Sequence, residues 1–188
     1  LDFSKIDKKT NYEQNNKLKI LTVAALESWK GMQHVISVFN DRDIKQNFEY
    51  HIIGEGPYLD QLSQKVKKYN IGDSVRLLGK KNNVESIYCN YDIYCQLSDG
   101  EAFGLSIIEA MGAGLPVIVN DISPFDLLFP QDKVIKKEKN NNEELKLKLL
   151  HLLLSDERKK FGLEGQEFVL NTFTIEKMAN NYYDLFNN

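Results

Sequence analysis

Cysteine is scarce in this sequence. The 188 residues hold two, Cys89 and Cys95, and they form no C-x-x-C pair. Two such thiols build no disulfide scaffold; they fit reduced, apolar packing residues of a cytoplasmic protein. Histidine is nearly as rare. His34, His51 and His151 stand far apart, and no Cys/His cluster has metal-ligand spacing, so each reads as a core-edge or surface residue. No signal peptide is visible in these residues. The most apolar run, residues 145–154, is too short to span a membrane and carries two lysines, which makes it a buried amphipathic helix. There is no large charge imbalance either. A net charge of −3 lacks the basic footprint of a nucleic-acid binder, and the lysine clusters at 65–68 and 136–139 read as solvated faces. No Pro/Gly-rich linker divides the chain, and no internal repeat recurs.

What is there is ordinary in bulk and ordered in pattern. A 42% hydrophobic and 27% charged composition suits one soluble domain with a real core. Apolar strands are predicted at 17–23, 48–54, 73–79, 91–97 and 115–120, with a sixth near 132–137. Helical spacing runs over 31–40, where Met32, Val35, Ile36 and Phe39 share a face. Pro57 opens a second helix. A short one is expected over 82–89, another after residue 103, and helix from 142 to near the end. Strand and helix in alternation predict an α/β, Rossmann-like doubly wound parallel sheet with extra C-terminal helices, one domain over 1–188.

In such a sheet the turns that follow the strands emerge at one edge, where ligands bind. Three stand out: residues 24–31, the GEGP of 54–57, and the SDGEAFG of 98–104. GEGP is a strand-to-helix turn and not a dinucleotide fingerprint, since Leu59 stands where a third glycine would be. The last turn precedes a helix starting near Phe103 or Gly104. The first N–H groups of that helix lack internal partners and, with the dipole, form an anion site suited to phosphate. Gly104 lets a ligand approach the backbone closely. Glu101 lies in the loop before it and Glu109 about one turn inside, so both carboxylates flank that site. Ionised carboxylates repel phosphate but accept from hydroxyls. A diphosphate at the helix start with a sugar on each side satisfies every group, and that ligand is a nucleotide-sugar.

The stretch SDGEAFGLSIIEAMGAGLPVIVND resembles the E-x7-E signature of retaining glycosyltransferases of the GT-B type. ILTVAALESWKGM, HIIGEGPYLDQL and VRLLG are similar to the family's first three strands and their turns, and LDFSKID to the segment after its interdomain linker. The likeness covers nearly the whole chain. It implies the C-terminal, donor-binding half of a GT-B enzyme, with the N-terminal acceptor domain absent, and the opening on Leu1 fits a piece of a longer protein. It further implies that Glu101 binds hydroxyls of the transferred sugar, and that the N–H groups of Phe103, Gly104 and Leu105 meet sugar or diphosphate. Glu109 would bind the ribose, and Lys30 would neutralise the leaving diphosphate. Gly54 would lie at the donor site, and Gly79 and Lys80 near the base. Lys30 and Glu101 would be the catalytic residues, with no metal and no cofactor, and a donor such as a UDP- or GDP-hexose. The acceptor would be a saccharide or a lipid-linked alcohol. Any peripheral contact with the inner face of a membrane would belong to the absent half. High lysine and asparagine against three arginines point to an AT-rich bacterial source, and so to surface polysaccharide synthesis such as capsule or lipopolysaccharide.

The sequence departs from the family at Ala25, where arginine is usual and pairs with the lysine on the diphosphate. Losing such a cation removes roughly 3 kcal/mol of transition-state stabilisation. Ala24 and Ala102 replace common glycines. The departure at Ala25 supports a rival reading, a non-catalytic GT-B-like subunit that assists a partner glycosyltransferase. Trp29 is expected to make a hydrophobic contact within its loop.

Overall fold

The computed structural model describes residues 1–177, 179 and 183, apart from 15 and 124. Six strands, β1 (Leu18–Val23), β2 (Phe48–Ile53), β3 (Val75–Leu77), β4 (Ile93–Gln96), β5 (Val117–Asn120) and β6 (Ile135–Lys137), form one sheet ordered β3-β2-β1-β4-β5-β6. Every neighbouring pair is parallel. The helices are α1 (Met32–Val38), α2 (Arg42–Asn47), α3 (Leu59–Lys68), α4 (Leu105–Gly112), α5 (Phe125–Leu128), α6 (Asn142–His151) and α7 (Ser155–Thr172).

Side chains alternate across a strand, and here both faces are covered. On one face Leu18 and Ile20 of β1 join Val35 and Ile36 of α1, Leu62 of α3, and Leu145 and Leu149 of α6. On the other, Leu21 and Val119 meet Ile107, Ile108 and Met111 of α4, and Phe125 of α5. Ile20 and Leu21 are fully buried although adjacent in sequence, which explains the unbroken apolar runs. Each such side chain contributes roughly 1.5–3 kcal/mol by leaving water.

The chain builds β1, β2 and β3 outward in one direction and then returns to place β4 on the other side of β1. The order therefore reverses between β1 and β4. At that point the loops leaving the two strands diverge to opposite faces and open a crevice at their carboxyl ends.

Several elements differ from the sequence-based expectation. The third strand is shorter. The helix expected from Pro57 starts at Leu59, with Pro57 in the preceding turn, and in place of the helix expected over 82–89 there are two short 3-10 turns, Val84–Ser86 and Tyr88–Asn90. α2 was not foreseen: only Ile44 of its six residues is buried, so it has no apolar period, and it starts because the Asp41 carboxylate accepts from the Asp43 and Ile44 N–H groups. The helical stretch after 142 breaks between α6 and α7. The buried Arg158 guanidinium stabilises the break by donating to the carbonyls of Leu152 (2.5 Å) and Leu153 (2.9 Å), which the end of α6 leaves without partners. The expected helix toward the chain end runs beyond the described residues. Cys95 is buried as expected and its thiol is pushed up to about 12 by burial, but Cys89 is only half-buried, with Sγ 3.7 Å from the Ser86 carbonyl. No described helix is long and apolar enough to cross a membrane.

Candidate functional site

Three loops line the crevice. The first follows β1. It makes a 3-10 turn at Ser28–Lys30 and ends at Gly31, whose φ of 79° is left-handed. A Cβ at Gly31 would lie 1.9 Å from the Leu97 carbonyl oxygen, so only glycine lets this loop touch the end of β4. The Asp99 N–H donates to the Trp29 carbonyl (2.7 Å) and completes the junction. The β1 and β4 loops are thus joined along their backbones.

That junction brings Lys30 and Glu101, 71 residues apart in sequence, into an ion pair through Nζ and Oε1. Both side chains are mostly buried, at 13% and 10% exposure. The same Oε1 accepts from Gln96 Nε2 (2.5 Å) and Ser98 Oγ (3.1 Å). Gln96 Oε1 in turn accepts from Tyr94 (2.7 Å) and Ser106 (2.9 Å). Lys30 Nζ also lies 4.2 Å from the centre of the Trp29 ring, a cation–π contact in place of the hydrophobic one expected for an indole that is 42% exposed.

The third loop runs into α4 through Gly104, another left-handed glycine (φ 76°). Among the described residues the N–H groups of Phe103, Gly104 and Leu105 have no acceptor. They and the helix dipole leave partial positive charge at the crevice. The Phe103 ring turns away and packs edge-on against Phe173, 5.5 Å between centres. Glu109 lies one turn further along α4 and accepts from the Tyr88 hydroxyl (2.9 Å). Burial raises the Glu109 carboxyl above its ordinary range; the Tyr88 hydrogen bond works against this and Glu85 with it. Burial also pushes the Tyr88 hydroxyl far up, so Tyr88 remains a donor at any working pH.

The second loop joins the other candidates. The Gly54 N–H donates to the Gly79 carbonyl (3.0 Å), and Lys80 pairs with Glu55 (2.7 Å) in an exposed bridge. A cavity of about 420 Å³ lies among these residues, walled by Val23, Ala24, Ala25, Ile53, Gly54 and Lys81. Ala25 thus lines a space that Lys80 and Lys81 also line. The sequence-predicted residues therefore form two groups: Lys30, Glu101 and the start of α4 at the β1/β4 reversal, and Gly54, Gly79 and Lys80 at the tips of β2 and β3. Sequence reasoning missed Gln96, Ser98 and Tyr88. Gln96 did give a signal, as the one amide in the apolar run of β4.

Comparison with known proteins places the chain. The sequence model of the family described as glycosyl transferases group 1 matches residues 3–168. The N-acetyl-alpha-D-glucosaminyl L-malate synthase of Bacillus anthracis is 25% identical over 187 residues, covering 98% of this chain and 49% of that protein. Among solved structures, sucrose-phosphate synthase from Thermosynechococcus elongatus superimposes with a TM-score of 0.85 at 20% identity, over 99% of this chain and 51% of that one. A mutant of S. aureus TarM, solved with fondaparinux, alpha-GlcNAc-glycerol and UDP, gives 0.82 at 23% identity, over 97% of this chain and 38% of that one. At these identities the structures show the fold alone. The chain spans about half or less of the length of the proteins it matches.

Proposed function

The chain belongs to the group 1 glycosyl transferases, and from that premise we propose that it is the donor-binding half of a retaining enzyme that moves a hexosyl group from a nucleotide-sugar to an acceptor alcohol. The observation that carries this reading is the meeting of Lys30 and Glu101 beside the open N-terminus of α4, at the point where the strand order reverses. On this reading the donor diphosphate takes the free N–H groups of Phe103, Gly104 and Leu105 together with Lys30, and these do the work of a cation as the bond to the sugar breaks. Glu101 orients the sugar by accepting from its hydroxyls, and Glu109 accepts from the ribose. The base extends toward Gly79 and Lys80, with Gly54 at the cavity wall. The acceptor, saccharide or lipid-linked, and any group it meets come from the other half of the longer protein. The chain by itself therefore binds donor weakly and turns over nothing. The lysine- and asparagine-rich composition fits an AT-rich bacterial source, and surface polysaccharide synthesis is the setting proposed for the enzyme there. In the full-length protein, the product's anomeric proton coupling in NMR is expected to match that of the donor sugar; an inverted product would sink the retaining assignment.

Ala25 favours a second reading, a GT-B-like subunit that assists a partner enzyme, because the residue offers no charge to the cavity it lines. Ala25→Arg separates the two. A donor site otherwise complete gains roughly tenfold or more in affinity for a nucleoside diphosphate from one charge-assisted bond. No gain, in a chain that binds no nucleotide before or after, fits the subunit.

A further inference from the structure

Gln96 is, with Asn120, one of two buried amides at the carboxyl ends of the described strands, each 1% exposed, and its orientation is determined by its partners. Two hydroxyls, from Tyr94 at 2.7 Å and Ser106 at 2.9 Å, point at one of its polar atoms. A carboxylate, Glu101 Oε1 at 2.5 Å, faces the other. An ionised carboxylate only accepts, so the NH2 group must lie toward Glu101 and the carbonyl toward the hydroxyls. The same NH2 lies 3.3 Å from Ser98 Oγ, which itself donates to Glu101 at 3.1 Å. Glu101 Oε1 is thereby filled by Lys30, Gln96 and Ser98, while Oε2 has no hydrogen-bond partner among the described residues.

We infer that Gln96 is a positioning residue for sugar recognition: its amide fixes the Glu101 carboxylate against Lys30 so that Oε2 is turned to the hydroxyls of the transferred sugar. The inference rests on the donor-site reading above and adds a residue to it. It assigns Gln96 to the sugar and not to the ribose or base, because its amide donates to Glu101 and makes no bond to Glu109, Gly79 or Lys80.

Two substitutions separate this role from plain packing. Gln96→Glu keeps an acceptor for Tyr94 and Ser106 but offers Glu101 a like charge. Gln96→Met keeps the volume and removes every hydrogen bond. The readout is the ratio of affinities for UDP-N-acetylglucosamine and UDP, measured calorimetrically on the chain. Both variants are expected to hold UDP within about twofold of the unchanged chain and to lose roughly tenfold of the sugar nucleotide's advantage, the size of one hydrogen bond to a charged group. A Gln96→Glu chain that behaves as the original, or variants that lose UDP and the sugar nucleotide equally, would overturn the inference. If the unchanged chain binds neither these probes nor the corresponding GDP and ADP pairs, or shows no preference for the sugar in the pair it binds, it is the donor-site reading that fails, and the Lys30 ammonium decides the role of Gln96. Its protons should exchange slowly in nitrogen-edited NMR and lose that protection in Gln96→Met; unchanged protection would overturn the inference.

Discussion

At the scale of single residues, Glu109 carries two opposed demands. Burial holds its carboxyl above the ordinary range, so the folded state favours the protonated form. The sign follows from linkage: the group adds stability as pH falls through its raised folded value toward the ordinary carboxylate value, and loses it as pH rises. Accepting from a ribose needs the ionised form. Nucleotide affinity is therefore expected to decline on acidification while the pH is still above the ordinary glutamate range. Glu109→Gln should bind roughly tenfold more weakly at pH 7. It should lack that pH slope and melt no lower than the original, since its amide carbonyl still accepts from Tyr88. A lower melting temperature, or an unchanged slope, would count against this role. Lys30 and Glu101 show the complementary case. Each is mostly buried and answers the other's charge, and Glu101 keeps Gln96 and Ser98 as donors if Lys30 turns to a phosphate.

Among the elements, the loop after β1 is held in place by Gly31. Alanine there must either move the end of β4 or abandon the left-handed conformation, because its Cβ would meet a backbone oxygen at 1.9 Å. Gly31→Ala is expected to cost about 2–3 kcal/mol of stability in denaturant unfolding, combining overpacking with strain. It should also weaken nucleotide binding by separating Lys30 from Glu101; a fully stable variant that binds normally would refute the junction. The elements also mark what could be read in advance. The buried strands announced themselves as apolar runs, and the turns after them held Lys30 and Glu101, with Glu109 in the helix that follows. α2 could not be read, because one buried residue sets no period. The break between α6 and α7 depends on Arg158 reaching carbonyls that the sequence does not mark. The Gln96 network stayed hidden for the same reason. Which face of β4 meets α4, and which hydroxyls point inward, depends on packing between distant segments.

For the whole molecule, the β3-β2-β1-β4-β5-β6 order places one reversal at the centre of the sheet, and the charged groups of the crevice gather around it. The chain spans about half of its relatives' length, and on the proposed reading it is one wall of the donor cleft. The central claim is that this wall holds a nucleotide by itself. It is tested most directly by calorimetric titration of the chain with UDP, GDP and ADP, with Glu109→Ala as control. We expect one of the three to bind, and the control to lose about tenfold or more of that affinity. Binding of none of them, or equal binding by the control, would contradict a donor site built around Lys30, Glu101 and Glu109.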